Sequence, residues 1–214
     1  MIQNRSAAPT GSRSDPTALT ALVLVAGIAT GVVTQLAQSV LATGWSQAAN
    51  AISPWLLVAF LVGSAMPGRR AAALAGAATL VLALFGYYAM TTLRFGIGAS
   101  TASLVFWGLG AVLGGPVFGG AGWWWRRGWH RARASALGLL TAAFIAEASY
   151  HAIVLAEPQV AIGFVIAGLL VPLILGRSRD DRLGAYVAAV PATLLGALGF
   201  AGAIWIYGVI ASVG

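Results

Sequence analysis

Three side chains on one apolar segment have the types and spacing needed for chemistry. Glu147, Tyr150 and His151 lie in the stretch AAFIAEASYHAIVLAEP, residues 142–158. Positions i, i+3 and i+4 share one face of an α-helix, so the three side chains are predicted to point the same way. A carboxylate, a phenol and an imidazole on one face can recognise a polar solute, relay a proton, or form a buried hydrogen-bond knot that holds helix register.

Two more polar faces occur earlier in the chain. Tyr87, Thr91 and Arg94 stand at i, i+4 and i+7, which again places them on one helical face. Gln35 and Gln38 make the other face. Amide, phenol and guanidinium groups can all form hydrogen bonds with a solute, so both faces are candidates for the same site as the first.

The elements that carry these faces are predicted to be transmembrane helices. The 214 residues are 59% hydrophobic and 8% charged, with a mean hydropathy of +0.88, whereas soluble proteins carry about 25% charged residues. Apolar runs of about 20 residues, long enough to cross a ~30 Å hydrocarbon core, recur along the chain. The predicted spans are residues 17–41, 52–67, 70–93, 100–122, 134–155, 159–176 and 183–210.

The arginines predict how these spans are oriented. All 12 basic residues are arginine, and 11 of them fall on one side of the alternating spans: Arg5, Arg13, Arg69, Arg70, Arg126, Arg127, Arg131, Arg133, Arg177, Arg179 and Arg182. Only Arg94 falls on the other side. By the positive-inside rule the N-terminus is cytoplasmic and the C-terminus external. Because the arginines follow the membrane topology, the lipid bilayer rather than nucleic acid is the predicted partner.

The predicted fold class is therefore all-α, a polytopic transmembrane helix bundle of about seven spans in the inner (plasma) membrane. Residues 1–16 are polar and rich in Ser, Pro and Gly, so a disordered cytoplasmic tail is predicted there. Residues 17–214 are predicted to form a single transmembrane domain.

Depth in the membrane suggests that the polar faces meet. Glu147 lies 13 residues into the fifth predicted span, about 20 Å from the cytoplasmic boundary, and His151 lies about 6 Å further out. An ionised Glu147 facing lipid is costly, so it must face the bundle interior, be protonated, or be paired with His151 or Arg94. We predict an outward-opening cavity. Its predicted ligand-binding residues are Gln35, Gln38, Tyr87, Tyr88, Arg94, Trp107, Glu147, Tyr150 and His151.

Glycines at four-residue spacing predict close helix packing. They are Gly27 and Gly31 in GIATG, and the ladder Gly110, Gly114, Gly115 and Gly119. Such spacing lets helix backbones approach each other in lipid, either inside the bundle or against another subunit.

Two arginine-containing loops stand out. GWWWRRGWHRARA, residues 122–134, is typical of an interfacial aromatic belt with cytoplasmic arginines. The alternative is a docking surface for a cytoplasmic partner or for anionic lipid headgroups. RSRDDR, residues 177–182, is predicted to be a solvated, self-paired turn.

Several chemistries are excluded or disfavoured by composition. The chain has no cysteine, which excludes disulfides, thiolate metal sites and cysteine nucleophiles. It has no lysine for a retinal Schiff base, no GxxxxGK[ST] phosphate loop, and one intramembrane histidine, too few for bis-histidine haem. One His and one Glu on adjacent turns fall short of a metal site. We predict no cofactor, no metal and no enzymatic activity.

A resemblance to known families adds a functional expectation. Residues 50–96, NAISPWLLVAFLVGSAMPGRRAAALAGAATLVLALFGYYAMTTLRFG, resemble an uncharacterised family of small integral-membrane proteins from actinobacteria, through the Pro-Trp, Ala-Phe and Gly-Tyr-Tyr features. The layout is also similar to the substrate-binding membrane subunits of energy-coupling-factor vitamin importers. Those subunits are small helical bundles with an outer solute site and a small-residue first helix that docks on a coupling subunit. The similarity implies a small-molecule solute and a docking role for AGIATGVVTQ, residues 26–35.

The sequence thus predicts an integral membrane protein that binds and helps import a small polar or aromatic solute, with Glu147, His151 and Arg94 supplying charge. A partner ATPase or protons would supply the energy. The alternatives are a solitary proton-coupled carrier and a non-transporting membrane scaffold or assembly protein.

Overall fold

The computed structural model describes residues 15–42 and 45–213, and every regular element among them is helical. The helices are α1 (Pro16–Val40), α2 (Trp45–Ala49), α3 (Ile52–Ala65), α4 (Arg69–Phe95), α5 (Thr101–Arg127), α6 (His130–Ile153), α7 (Pro158–Leu175) and α8 (Arg179–Val213). The tail predicted for residues 1–16 lies outside the described residues except for its last two. Asp15 caps α1 by accepting a hydrogen bond from the Thr17 amide at 2.9 Å, and Pro16 occupies the first turn.

The predicted all-α, seven-span fold class is confirmed. Seven helical segments of the described chain are long and apolar enough to cross a membrane, and α2 and α3 count together as one of them. The protein is therefore a multi-pass membrane protein. The arginines in and beside the connections between α3 and α4, α5 and α6, and α7 and α8 lie at one end of the bundle, here called the arginine end. Arg94, in the last turn of α4, lies at the opposite end.

The second span is broken, which the sequence analysis did not predict. Asn50 and Ala51 separate the single turn of α2 from α3. The 14 residues of α3 rise about 21 Å, which is short of a ~30 Å hydrocarbon core. Because α3 ends at the arginine end, its N-terminus lies within the thickness of the membrane. Ala51, at its N-cap, has no side chain that can accept hydrogen bonds.

The core surrounds α6, the most buried span of the bundle. Leu137, Leu140 and Phe144 of α6 pack in one apolar cluster with Phe60 of α3 and Phe164 of α7. This helix therefore lies between the half of the bundle that contains α3 and the half that contains α7 and α8.

Glycines bring helix backbones together in the first half of the bundle. A Cβ atom placed on Gly31 would lie 1.9 Å from the carbonyl oxygen of Ala83, so α1 packs directly on the backbone of α4. Gly115 and Gly119 of α5 likewise approach Gly76 of α4. The predicted close packing is confirmed at these positions but not at Gly110, where a Cβ would meet nothing within 4 Å.

At the arginine end, side chains tie the helices together. The Arg127 guanidinium donates to the carbonyl oxygen of Ser64 at 3.0 Å, which joins α5 to α3. Arg133 Nε of α6 lies 3.2 Å from Asp181 Oδ2 of α8, and Asp181 is only 1% exposed. The prediction that the RSRDDR turn is solvated is therefore wrong for Asp181, although Asp181 does accept a hydrogen bond within the turn, from the Arg177 amide. Its carboxylate is buried because it joins two helices, a contact that local charge patterning does not reveal.

Candidate binding cavity and the carboxylate behind it

A cavity of about 330 Å³ lies between α3, α4 and α5 in the half of the bundle opposite the arginine end. Ligand sites commonly occupy roughly 300–1,000 Å³. The lining residues come from the break before α3 and from the facing sides of the three helices: Asn50, Ala51, Ile52, Trp55, Leu56, Leu80, Leu84, Tyr87, Tyr88, Ser103, Trp107, Gly110 and Ala111.

The cavity lies where the close packing of α4 and α5 gives way to open space. At the middle of α5, a Cβ on Gly115 would lie 2.5 Å from the Cα atom of Ala77. Five residues earlier on α5, Gly110 lines the cavity and faces open space. The first turns of α3 line this space together with Gly110, through Ile52, Trp55 and Leu56.

Aromatic rings form one wall of the cavity, and hydrogen bonds to α1 hold two of them in place. Trp55 and Tyr87 meet edge to face with ring centroids 6.2 Å apart, and Tyr87 and Tyr88 do so at 5.3 Å. The Trp55 indole donates to Thr34 Oγ1 at 3.0 Å, and the Tyr87 hydroxyl donates to Gln38 Oε1 at 2.8 Å. Because α1 takes up these two polar groups, the ring surfaces remain for contact with a solute.

The structure brings together only part of the predicted site. Tyr87, Tyr88 and Trp107 line the cavity. Gln38 does not line it but accepts the hydrogen bond of Tyr87, which does. Gln35 is buried, and its side-chain oxygen has no hydrogen-bond partner among the described residues. The sequence analysis missed Trp55, Asn50 and Ser103 as lining residues, although the SPW start of α3 was a signal for the first of them.

The face of Glu147, Tyr150 and His151 does not join the cavity, so the expected convergence of three faces is corrected. These residues belong to α6, and α3 lies between them and the cavity. Arg94 is exposed at the end of α4 with its guanidinium 5.7 Å from the ring centroid of Phe95. Helical spacing identifies residues that share a face, but it does not identify the helix that the face contacts.

Glu147 caps the N-terminus of α3. Its Oε1 accepts a hydrogen bond from the Ile52 amide at 2.7 Å, and its Oε2 accepts one from the Ser53 amide at 2.7 Å. The Ser53 hydroxyl donates to the same Oε2. Three donors and a helix N-terminus suit an ionised carboxylate. Glu147 is 3% exposed, so of the alternatives that the sequence left open it takes the interior position. Its partners are the first amides of α3, whereas Arg94, one of the alternative partners, lies exposed at the end of α4.

His151 is held by a residue that the sequence analysis did not select. Its Nδ1 lies 3.0 Å from Oε2 of Glu157, whose own amide donates to the His151 carbonyl oxygen at 2.9 Å. Phe164 stacks on the imidazole with ring centroids 5.1 Å apart, and Tyr150 meets it edge to face at 5.9 Å. The pair fastens the turn between α6 and α7, in which Ala156 adopts a left-handed conformation with φ 55°.

A second cavity lies on the other side of the N-terminus of α3. It measures about 320 Å³, and its lining includes Ser53, Glu147, Ala146 and Gly196. Ile52 and Leu56 line both cavities. The first turns of α3 therefore have space on two sides. The hydrogen bonds from their amides to Glu147 hold them in position.

Comparison with known proteins identifies a family without a known activity. The model of DUF6518, described as a family of unknown function, matches residues 10–205. No curated protein and no solved structure matches the chain. Function must therefore be argued from the geometry of the cavity.

Proposed function

The chain belongs to DUF6518, a family of unknown function, and we propose that it binds a small neutral aromatic solute in the cavity between α3, α4 and α5 as a step in import. The observation that carries this proposal is the cavity itself, walled by Trp55, Tyr87, Tyr88 and Trp107. We assign no catalytic reaction to the chain.

The lining chemistry favours an uncharged solute. Among the described residues, no charged side chain lines the cavity, and burying a charged solute without a counter-charge costs several kcal/mol or more. Aromatic surfaces favour a planar or apolar solute, while Asn50 and Ser103 offer an amide and a hydroxyl for one or two hydrogen bonds. Glu147, His151 and Arg94, predicted from sequence to supply charge, are assigned no direct contact with the solute in this proposal.

The direction of transport rests on the arginines. By the positive-inside rule the arginine end is cytoplasmic, so the cavity faces outwards in the plasma membrane, as an importer requires. A coupling subunit is one possible source of energy. It would contact a surface other than the Gly27 and Gly31 face of α1, because α4 already covers that face.

A solitary proton-coupled carrier is the second candidate, and the cap of α3 favours it. Protonation of Glu147 would remove an acceptor from the N-terminus that carries Ile52 and Trp55 into the cavity wall. The loosened helix would change the shape of the cavity, which is how proton binding and solute binding become linked. A non-transporting scaffold has no comparable observation in its favour.

A cavity-filling variant tests solute binding. Gly110→Leu places a side chain in the cavity, where a Cβ meets nothing within 4 Å. Gly108→Leu is the matched control, because it also faces open space on α5 but does not line the cavity. Purified wild-type protein and both variants are screened by thermal unfolding against neutral aromatic compounds, nucleobases and vitamins.

A solute at 100 times its dissociation constant should stabilise wild type by about 2.7 kcal/mol. We expect Gly108→Leu to keep this stabilisation and Gly110→Leu to lose it. A shift retained in Gly110→Leu would exclude the cavity as the site, and a screen without any shift would leave the scaffold as the better interpretation. Uptake into proteoliposomes under an imposed proton gradient then separates the solitary carrier from a partner-dependent importer.

A further inference from the structure

A groove at the arginine end is unused by the proposed solute site. It measures about 570 Å³ and runs between α4, α5 and α6. We call the polar and aromatic lining residues near the arginine end, Arg69, Trp124, Trp129 and Ser135, the rim. The apolar residues further into the bundle, which include Pro116, Val117 and Leu139, are called the floor.

The rim is positively charged. The Arg69 guanidinium lies 5.9 Å from the ring centroid of Trp124, and Trp124 meets Trp129 edge to face at 5.2 Å. Ser135 adds an exposed hydroxyl. None of the five acidic residues of the chain is among the lining residues, so Arg69 has no counter-ion within the groove.

Two helices also begin beside the rim. Arg69 is the first residue of α4, and Ala132 lies in the first turn of α6. Neither helix has a side chain that caps its N-terminus. Uncapped N-termini add positive potential to that of the guanidinium, so the rim as a whole favours an anion.

The floor extends from this rim towards the middle of the membrane. Trp124 and Pro116 are eight residues apart on α5, which corresponds to about 12 Å along the helix. Val117 on the floor is 53% exposed, so the groove opens sideways to the surface that faces lipid. A ligand that fills the groove must therefore have an anionic head and an apolar tail.

We propose that this groove binds an anionic phospholipid from the leaflet at the arginine end. The phosphate contacts Arg69 and Ser135 between the two tryptophans, and the first part of an acyl chain lies over Val117 and Leu139. Arginine and tryptophan at the membrane interface suit a lipid phosphate in both charge and position. The lipid would join α4, α5 and α6, and this role does not depend on whether the cavity at the opposite end binds a solute.

The test compares lipid affinities of the full chain and of two pairs of variants. Native mass spectrometry of the detergent-purified protein measures binding of phosphatidylglycerol and of phosphatidylcholine with identical acyl chains. Arg69→Gln is compared with Arg70→Gln, an exposed neighbour that does not line the groove. Gly120→Leu fills the groove, where a Cβ meets nothing within 4 Å, and Gly108→Leu is its control in open space away from the groove.

We expect wild type to prefer phosphatidylglycerol and Arg69→Gln to weaken that binding roughly fivefold, the effect of one arginine at a membrane surface. Gly120→Leu should weaken it at least as much, while Arg70→Gln and Gly108→Leu should change it little. Equal losses in Arg69→Gln and Arg70→Gln would indicate general surface charge and overturn the proposal. So would equal binding of phosphatidylcholine, undiminished binding in Gly120→Leu, or full competition by millimolar inorganic phosphate, which would indicate a phosphate site without a lipid.

Discussion

At the residue scale, Glu147 is explained by the helix that it caps. A helix that begins inside a membrane leaves amide groups without water to satisfy them. Glu147 accepts hydrogen bonds from two of these amides and from the Ser53 hydroxyl, all in the first turn of α3. The carboxylate is tolerated in an apolar segment because these three donors meet its two oxygens.

Replacement of Glu147 should therefore destabilise the protein. In Glu147→Gln the side-chain amide NH2 group, a donor, replaces one of the two acceptor oxygens and faces donors of α3. We expect the free energy of unfolding to fall by about 2–4 kcal/mol, as for the loss of charge-assisted hydrogen bonds to a buried site. Chemical denaturation of the detergent-solubilised protein measures the change.

Ser149→Ala is the control on the same helix, because the Ser149 hydroxyl bonds only to the carbonyl oxygen of Ile145 one turn earlier. Its effect should stay below about 0.5 kcal/mol. If Glu147→Gln were as stable as wild type, Glu147 would not hold α3, and the link between its protonation and the cavity would be lost as well.

At the element scale, α8 is attached to the bundle chiefly through α6. The side chain of Asp181 in its first turn lies beside Arg133 of α6 and accepts a hydrogen bond from the Arg177 amide at 3.3 Å. Further along, the backbone of α8 approaches Gly138 of α6, where an added Cβ would lie 2.7 Å from Cβ of Ala188. Much of the remaining surface of α8 carries exposed leucine and valine side chains suited to lipid.

Removal of the charge of Asp181 should loosen α8. Asp181→Asn leaves Arg133 without its carboxylate in a site where Asp181 is 1% exposed. We expect a loss of about 1–3 kcal/mol, less than for a fully buried pair because Arg133 is partly exposed. Asp180→Asn is the matched control. Asp180 is the exposed neighbour of Asp181, so this substitution should change stability little.

A double-mutant cycle with Arg133→Gln separates the pair from other effects of the two substitutions. A coupling energy near zero would show that the contact between Arg133 and Asp181 does not stabilise the docking of α8.

At the scale of the whole molecule, the orientation in the membrane decides what the cavity can do. A cavity that opens to the outside of the cell can bind an external solute. One that opens to the cytoplasm would instead bind a cytoplasmic compound or take part in export. The asymmetry of the arginines predicts the first arrangement.

Labelling of single cysteines tests this orientation. The chain has no native cysteine, so an impermeant thiol reagent gives no background. Gly98 lies between α4 and α5, Gly68 lies between α3 and α4 at the other end, and a Cβ at either position meets nothing within 4 Å. We expect Gly98→Cys to react in intact cells and Gly68→Cys to react only after the membrane is permeabilised. The reverse pattern would turn the cavity towards the cytoplasm and contradict import.

The amino-acid sequence by itself determined the seven spans, and it limited Glu147 to an interior, protonated or paired state. These properties depend on quantities that are local along the chain: the length of an apolar run, the placement of arginines, and the cost of a carboxylate in lipid. It also selected Tyr87, Tyr88 and Trp107 from their shared depth on neighbouring spans, and all three line the cavity.

Only the tertiary structure decided which faces meet. Glu147 contacts the N-terminus of α3 and not Arg94, His151 pairs with Glu157, and Trp55 completes the wall of the cavity. Any residue type except proline can supply the free backbone amides at a helix break. From the sequence, an acid that caps such a break, as Glu147 does, therefore cannot be told from an unpaired acid. The neighbour of each face is determined by the packing of all the helices together, including the close glycine contacts between α4 and α5.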